Sequence, residues 1–157
     1  MFADASWETR NSTSGWLAVW QGCALLWGSA KQKCTALSSC EAELIALSEA
    51  TKDAVYLRKF VSGLDSSHIS GPTDLSTDNE AARHLSYNPE QHNKTKHIEC
   101  RHFFVRDMVE AFEIRVPRVA TKDNWADFFT KPLASKEFMA LRALIMNEGA
   151  ATAKRRA

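Results

Sequence analysis

Leu37-Ser38-Ser39-Cys40-Glu41-Ala42-Glu43-Leu44-Ile45-Ala46-Leu47 reads as the start of the longest helix in the chain. Ser38 is a good N-cap, and Glu41 three residues on completes the pattern of a capping box. From Glu43 an apolar stripe follows at helical spacing through Leu47, Ala50, Ala54, Leu57 and Val61. Glu43 therefore heads the face that packs inward, while Glu41 is occupied at the cap. A carboxylate in that place is costly to bury unless it is paired or binds a metal.

The helix is expected over about 39–61, ended by Ser62-Gly63. Upstream, a short first strand carries Phe2 and Asp4 on one side and Ala3 and Ala5 on the other. After a polar loop through Gly15, the apolar runs Trp16–Gln21 and Ala24–Ala30 read as a hairpin turning at Gly22-Cys23. Downstream, Thr73–Thr77 is a weak strand that stops at Asp78, and Asn79–Leu85 is a short helix. His97–Ala111 is a helix with Phe103, Phe104, Met108 and Phe112 turned inward. Ile114–Val119 is a strand whose Pro117 places it at an edge or a strand end. Asp123–Thr130 and Ala134–Met146 are the last helices. This order gives an α/β fold with a mixed sheet. Residues 1–147 form one domain, and residues 148–157, with Lys154-Arg155-Arg156, are expected to be a disordered basic tail.

The chain has 157 residues, 45% hydrophobic, with a formal net charge of +1, which suits one domain with a sizeable core. The near-neutral total neither demands nor excludes nucleic acid. Acids gathered at one site would leave the remaining surface more basic than the total suggests. None of the four cysteines forms a CxxC pair, so they read as reduced thiols of an intracellular protein. No signal peptide is expected before the fold, because Asp4 arrives almost at once, and no apolar run approaches the ~20 residues that span a bilayer.

Four acids fall at strand ends or helix starts: Asp4 on the first strand, Glu43 at the head of the long helix, Asp78 after the fourth strand and Asp127 after the fifth. Metal-dependent phosphodiester hydrolysis needs such a set. Two Mg²⁺ roughly 3.5–4 Å apart activate a water and stabilise the leaving oxygen. Mg²⁺ takes oxygen ligands and keeps several waters, so three or four carboxylates on rigid elements suffice. Taken singly, each acid has a plainer reading. Asp78 suits the N-cap of the helix that follows, Asp127 a solvated helix position, and Glu43 a pairing with lysine. Asp4 is the hardest to explain away, because it interrupts a short strand.

In this order and over Phe2 to about Leu144, the chain resembles the ribonuclease H domain of copia-type LTR retrotransposon polyproteins. The resemblance rests on Phe2-Ala3-Asp4-Ala5-Ser6-Trp7, Arg10–Trp16, Lys31–Glu43, Thr77-Asp78-Asn79, Lys94–Glu99 and Ala126-Asp127-Phe128-Phe129-Thr130-Lys131-Pro132-Leu133. It implies a ribonuclease H-like fold with a five-stranded mixed sheet flanked by helices. It also implies an endoribonuclease that cuts the RNA strand of RNA·DNA hybrids by two-metal-ion hydrolysis, leaving a 3′-hydroxyl and a 5′-phosphate. Asp4, Glu43, Asp78 and Asp127 would be both catalytic residues and ligands of two Mg²⁺, with Mn²⁺ able to substitute. The implied partners are the hybrid and a reverse transcriptase domain of the same polyprotein, with no membrane. The implied setting is the cytoplasm or a virus-like particle, with the nucleus also open. The chain departs from cellular ribonucleases H at Ala120-Thr121-Lys122-Asp123, which lacks their loop histidine. The rival class is a non-catalytic nucleic-acid or protein-binding module derived from such a domain.

A hybrid is read through its backbone and 2′-hydroxyls. Ser38 and Ser39 at a helix N-terminus are candidate phosphate contacts, with plain capping the alternative for Ser38. Asn11, Ser12 and Thr13 are candidates for the RNA strand or a simple surface turn, and Asn79 beside Asp78 is a further candidate. Lys94, Lys96, His97 and Arg101 form a basic patch, read as DNA-strand binding or as a solvated face. His92, His97, Cys100 and His102 match no zinc spacing. Trp16, Trp20 and Trp27 read as packing residues rather than stacking platforms.

Overall fold

A computed structural model describes residues 1–7, 11–88 and 99–148. Its longest element is α1, Ser39–Leu64, with Ser38 as N-cap: the Ser38 Oγ accepts the Glu41 N–H at 3.2 Å. Glu41 reaches back one residue further than a standard capping box, its Oε2 accepting the Leu37 N–H at 2.6 Å. The helix runs through Ser62 and Gly63 to Leu64. Gly63 has open space around it, and an exposed helical glycine costs only about 1 kcal/mol.

Three strands form an antiparallel ladder, β1 (Phe2–Ser6), β2 (Thr13–Trp20) and β3 (Cys23–Lys31), in spatial order β1-β2-β3. The hairpin turns at Gln21-Gly22, both at positive φ, one residue earlier than the sequence suggests. A parallel ladder pairs β4 (Thr73–Asp74) with β5 (Ile114–Arg115). Both strands are shorter than expected from sequence. Beyond them the chain continues as isolated parallel bridges, Phe2 with Ser76 and Thr77 with Arg118. The five expected strands are thus present as two ladders rather than one plainly continuous sheet. Ser76 ties them edge to edge: its N–H donates to Met1 O and its carbonyl accepts from the Ala3 N–H, both at 2.9 Å.

The helices α2 (Glu80–Tyr87), α3 (Glu99–Glu110) and α4 (Ser135–Ile145) complete the fold, with a 3-10 turn at Trp125–Phe129. The main core joins Ala3, Leu44, Leu47, Ala50, Ala54, Leu75, Val105, Ile114 and Val116, so the stripe read from Glu43 does face the sheet. Phe112 does not turn inward. It lies past the end of α3 at φ 61°, and is exposed. Trp27 and Trp20 are also exposed, whereas Trp16 packs its ring across Gly28, where a Cβ would lie 2.2 Å from it.

Candidate metal centre

Asp4 sits mid-strand on β1, opposite Gly15 of β2. Glu43 comes from the first turns of α1. Asp78 follows Ser76 and Thr77, which bridge to Phe2 of β1 and to Arg118 beyond β5. One carboxylate oxygen from each of the three lies within 4.8 Å of the others. Asp4 and Glu43 are buried, and Asp78 is partly so.

Asp78 is not the cap of α2. That role belongs to Asn79, whose Oδ1 accepts the Ala82 N–H at 3.0 Å. The Asn79 N–H is in turn taken by Thr77 Oγ1. Asp78 is therefore left without the task that offered its plainer explanation.

Asp127 lies on the 3-10 turn, which is latched to β1 by buried Asn124. The Asn124 Nδ2 donates to Ala3 O at 3.1 Å, and its Oδ1 accepts the Ala126 N–H. Gly15 makes the approach possible, because a Cβ there would meet Thr130 Cγ2 at 2.6 Å and Phe129 Cβ at 2.9 Å. Asp127 reaches the trio through a cation: Lys131 Nζ lies 2.7 Å from Asp127 Oδ1 and 3.5 Å from Asp4 Oδ2. Thr130 Oγ1 donates a short hydrogen bond to Asp4 Oδ2.

The electrostatics follow from this crowding. Burial pushes Glu43 up to about 9, reinforced by the charges of Asp4 and Asp78, against a weaker opposing pull from the Ala5 N–H and Lys131. Burial also raises Asp4, opposed by the Thr130 hydrogen bond and Lys131 and reinforced by Asp127 and Asp78. Burial would lower Lys131, but its bond to Asp127 and the surrounding acids hold it above its usual value. Glu43 Oε2 is buried and has no hydrogen-bond partner. A buried acceptor without a donor, beside two further carboxylates, is the donor set of a hard divalent cation. The residues therefore fit a hard divalent cation.

No protein-family model matches the chain. It is 34% identical over 140 residues to the retrovirus-related Pol polyprotein from transposon TNT 1-94 of Nicotiana tabacum, covering 88% of the chain and 10% of the polyprotein. It is 31% identical over 141 residues to the corresponding polyprotein from transposon RE2 of Arabidopsis thaliana, covering 87% and 10%. Among solved structures it is similar to RNase H1 from the halophilic archaeon Halobacterium salinarum NRC-1. That TM-score is 0.58 at 14% identity, over 88% of this chain and 95% of the other. It is also similar to LC11-RNase H1 in complex with RNA/DNA hybrid, with TM-score 0.60 at 13% identity over 82% and 91%. The chain fits a ribonuclease H domain of a retrotransposon Pol polyprotein: its sequence is related to a segment of those polyproteins, and its fold is that of ribonuclease H. It spans 10% of the length of the polyproteins it matches.

Around the acids of this ribonuclease H domain, the other sequence candidates divide. Ser38 and Ser39 are exposed at the start of α1, with Ser38 engaged as cap. Asn11 is exposed and Thr13 half-buried. Ser12 is fully buried, its carbonyl accepting the Gln32 N–H at 2.8 Å, so it serves the sheet rather than an open face. Asn79 is engaged as the α2 cap. Arg101 is half-buried and donates to Cys34 Sγ at 3.2 Å. Lys94, Lys96 and His97 lie outside the described residues. The sequence alone assigns no role to Asn124, Thr130 or Lys131, although Thr130-Lys131 lies within the Ala126–Leu133 motif.

Proposed function

We propose that this domain is a metal-dependent endoribonuclease that cuts the RNA strand of RNA·DNA hybrids within a copia-type retroelement polyprotein. The observation that carries the reading is the Asp4–Glu43–Asp78 trio, in which Glu43 Oε2 is buried without a hydrogen-bond partner. In this reading Asp4, Glu43, Asp78 and Asp127 hold two divalent cations, Mg²⁺ or Mn²⁺. Such cations supply Lewis-acid polarisation of a phosphoryl oxygen and an activated water nucleophile. The chain's own part is positioning. Thr130 fixes the Asp4 carboxylate, Asn124 holds the turn that carries Asp127, and α1 holds Glu43 against the sheet. Lys131 balances the acids until cations arrive. We read the two ladders as one mixed sheet in order β3-β2-β1-β4-β5, and residues 1–147 as the catalytic unit. Reverse transcription, beside a reverse transcriptase domain in the cytoplasm or a virus-like particle, is the process this activity serves. Among the described residues no helix is long and apolar enough to cross a membrane.

The existing bond between Lys131 and Asp127 favours a second reading, a binding module that retains the acids without turnover. One assay separates the two. The purified chain with Mg²⁺ or Mn²⁺ is expected to cut the RNA strand of a labelled hybrid and to spare double-stranded DNA. Asp78→Asn is expected to abolish cutting with the thermal melt retained. A folded wild-type chain that binds hybrid but cuts none with either metal would leave the second reading standing.

A further inference from the structure

Glu43 is tied to the sheet by a ring of contacts that closes through Gln32, a residue outside the acid cluster. On one side the Ala5 N–H of β1 is hydrogen-bonded to the Glu43 carboxylate. Ala5, the neighbour of Asp4, stands opposite Ser14 of β2. The Ser14 Oγ accepts from Gln32 Nε2 at 2.9 Å, and the same nitrogen donates to Ala42 O, also at 2.9 Å. Ala42 precedes Glu43 on α1, so the path returns to its start. Gln32 follows directly on β3 and is anchored by its own N–H, which donates to Ser12 O at 2.8 Å.

The packing around it explains why an amide stands here. Ala5, Ala36, Ala42 and Ala46 form a small core with Ile45 between the sheet and the start of α1. Methyl groups limit how near the helix comes but do little to stop it sliding or rolling. A directional bond from the sheet to Ala42 does stop it. Gln32 is 4% exposed, and its orientation is set because Ala42 O only accepts. Its Oε1 is thereby left buried without a donor. An apolar side chain of the same length would fill the space with no orphaned acceptor, so the amide carries a cost that its two bonds offset.

We infer that Gln32 is a positioning residue of the metal centre, a brace between Ser14 and Ala42 that fixes the Glu43 carboxylate relative to Asp4. The inference rests on the divalent-cation reading of the acids and adds to it a residue that touches neither cation nor substrate. Ligand geometry has to hold within about 0.5 Å, and loss of an outer support weakens metal binding about 10–100-fold.

The test is a Mn²⁺ titration followed by the electron paramagnetic resonance of the free ion, with Asp78→Asn as the blank and no cutting required. Gln32→Met, which keeps length and burial, is expected to bind Mn²⁺ about tenfold more weakly than wild type. Ser14→Ala is expected to lose less, and Ser14→Ala/Gln32→Met to bind no more weakly than Gln32→Met alone, because both changes break one brace. Ile114→Ala, a buried change at the end of the β4–β5 ladder away from Asp78, is expected to lower the thermal melt and keep wild-type affinity. Wild-type affinity in folded Gln32→Met would overturn the brace and leave the metal centre standing. An equal loss in Ile114→Ala would do the same, because general loosening would then account for it. Should Gln32→Met not fold, Ser14→Ala decides, and an affinity unchanged from wild type overturns the inference. A folded wild-type chain that binds no better than Asp78→Asn would overturn both the brace and the cation reading.

Discussion

Replacing Glu43 by Gln removes one titrating carboxyl from the acid site while keeping its shape. In the folded chain burial and the neighbouring acids push Glu43 from an ordinary 4.5 to about 9. Between those values the folded state holds a proton that the unfolded state has released. Stability is therefore fully present below about pH 4.5 and falls as pH rises toward about 9. One proton across that window corresponds to about 1.4 kcal/mol per pH unit. From about pH 6 to about pH 8 the loss in metal-free buffer is up to roughly 3 kcal/mol, a large share of a domain's usual 5–15 kcal/mol. Glu43→Gln carries no such proton, so its stability is expected to stay nearly flat over the same range and to exceed wild type at the alkaline end. Urea denaturation of both proteins in EDTA at several pH values reads this directly. A wild-type curve no steeper than that of Glu43→Gln would refute the reasoning, because it would mean that Glu43 is solvated or paired.

Lys131→Met removes the cation that links Asp127 and Asp4, and is expected to cost about 1–2 kcal/mol in metal-free buffer, moderated by the partial solvation of Lys131. Added Mg²⁺ is then expected to raise its Tm more than it raises that of wild type, and an equal rise would show that Lys131 and the metal do not share the site. Thr130→Val leaves buried Asp4 without its hydroxyl donor and is expected to cost about 1–3 kcal/mol, read as a lower urea midpoint at unchanged m-value.

What could be read from the sequence was what local chemistry specifies. Ser38 and the stripe after Glu43 set the start and the inner face of α1, because capping and helical spacing act within a few residues. The five strands were legible as segments, but not their division into two ladders. Pro117 has no N–H to give, and Thr77 and Arg118 pair only as an isolated bridge. The end of α1 falls beyond Ser62-Gly63 because a lone exposed glycine is a weak stop, and Asp65 supplies the C-cap instead. Three of the acids could be picked out because Asp4 interrupts a short strand, Glu43 heads a helix and Asp78 follows a strand, and the trio brings them together. The environment of Asp127 was not legible. It depends on Asn124 reaching Ala3, 121 positions away, and on Lys131 reaching Asp4 across a β2 backbone kept bare at Gly15. Such contacts leave no periodic trace. The asparagine before Trp125-Ala126-Asp127 was the only local sign, and it is also an ordinary turn residue.

The central claim is that acids distant in sequence make one seat for divalent cations. Anomalous diffraction from crystals of the chain soaked in Mn²⁺ tests it most directly. The account predicts density in contact with Asp4, Glu43 and Asp78, lost in Asp78→Asn crystals. Crystals that take up Mn²⁺ elsewhere and leave those three carboxylates bare would contradict it.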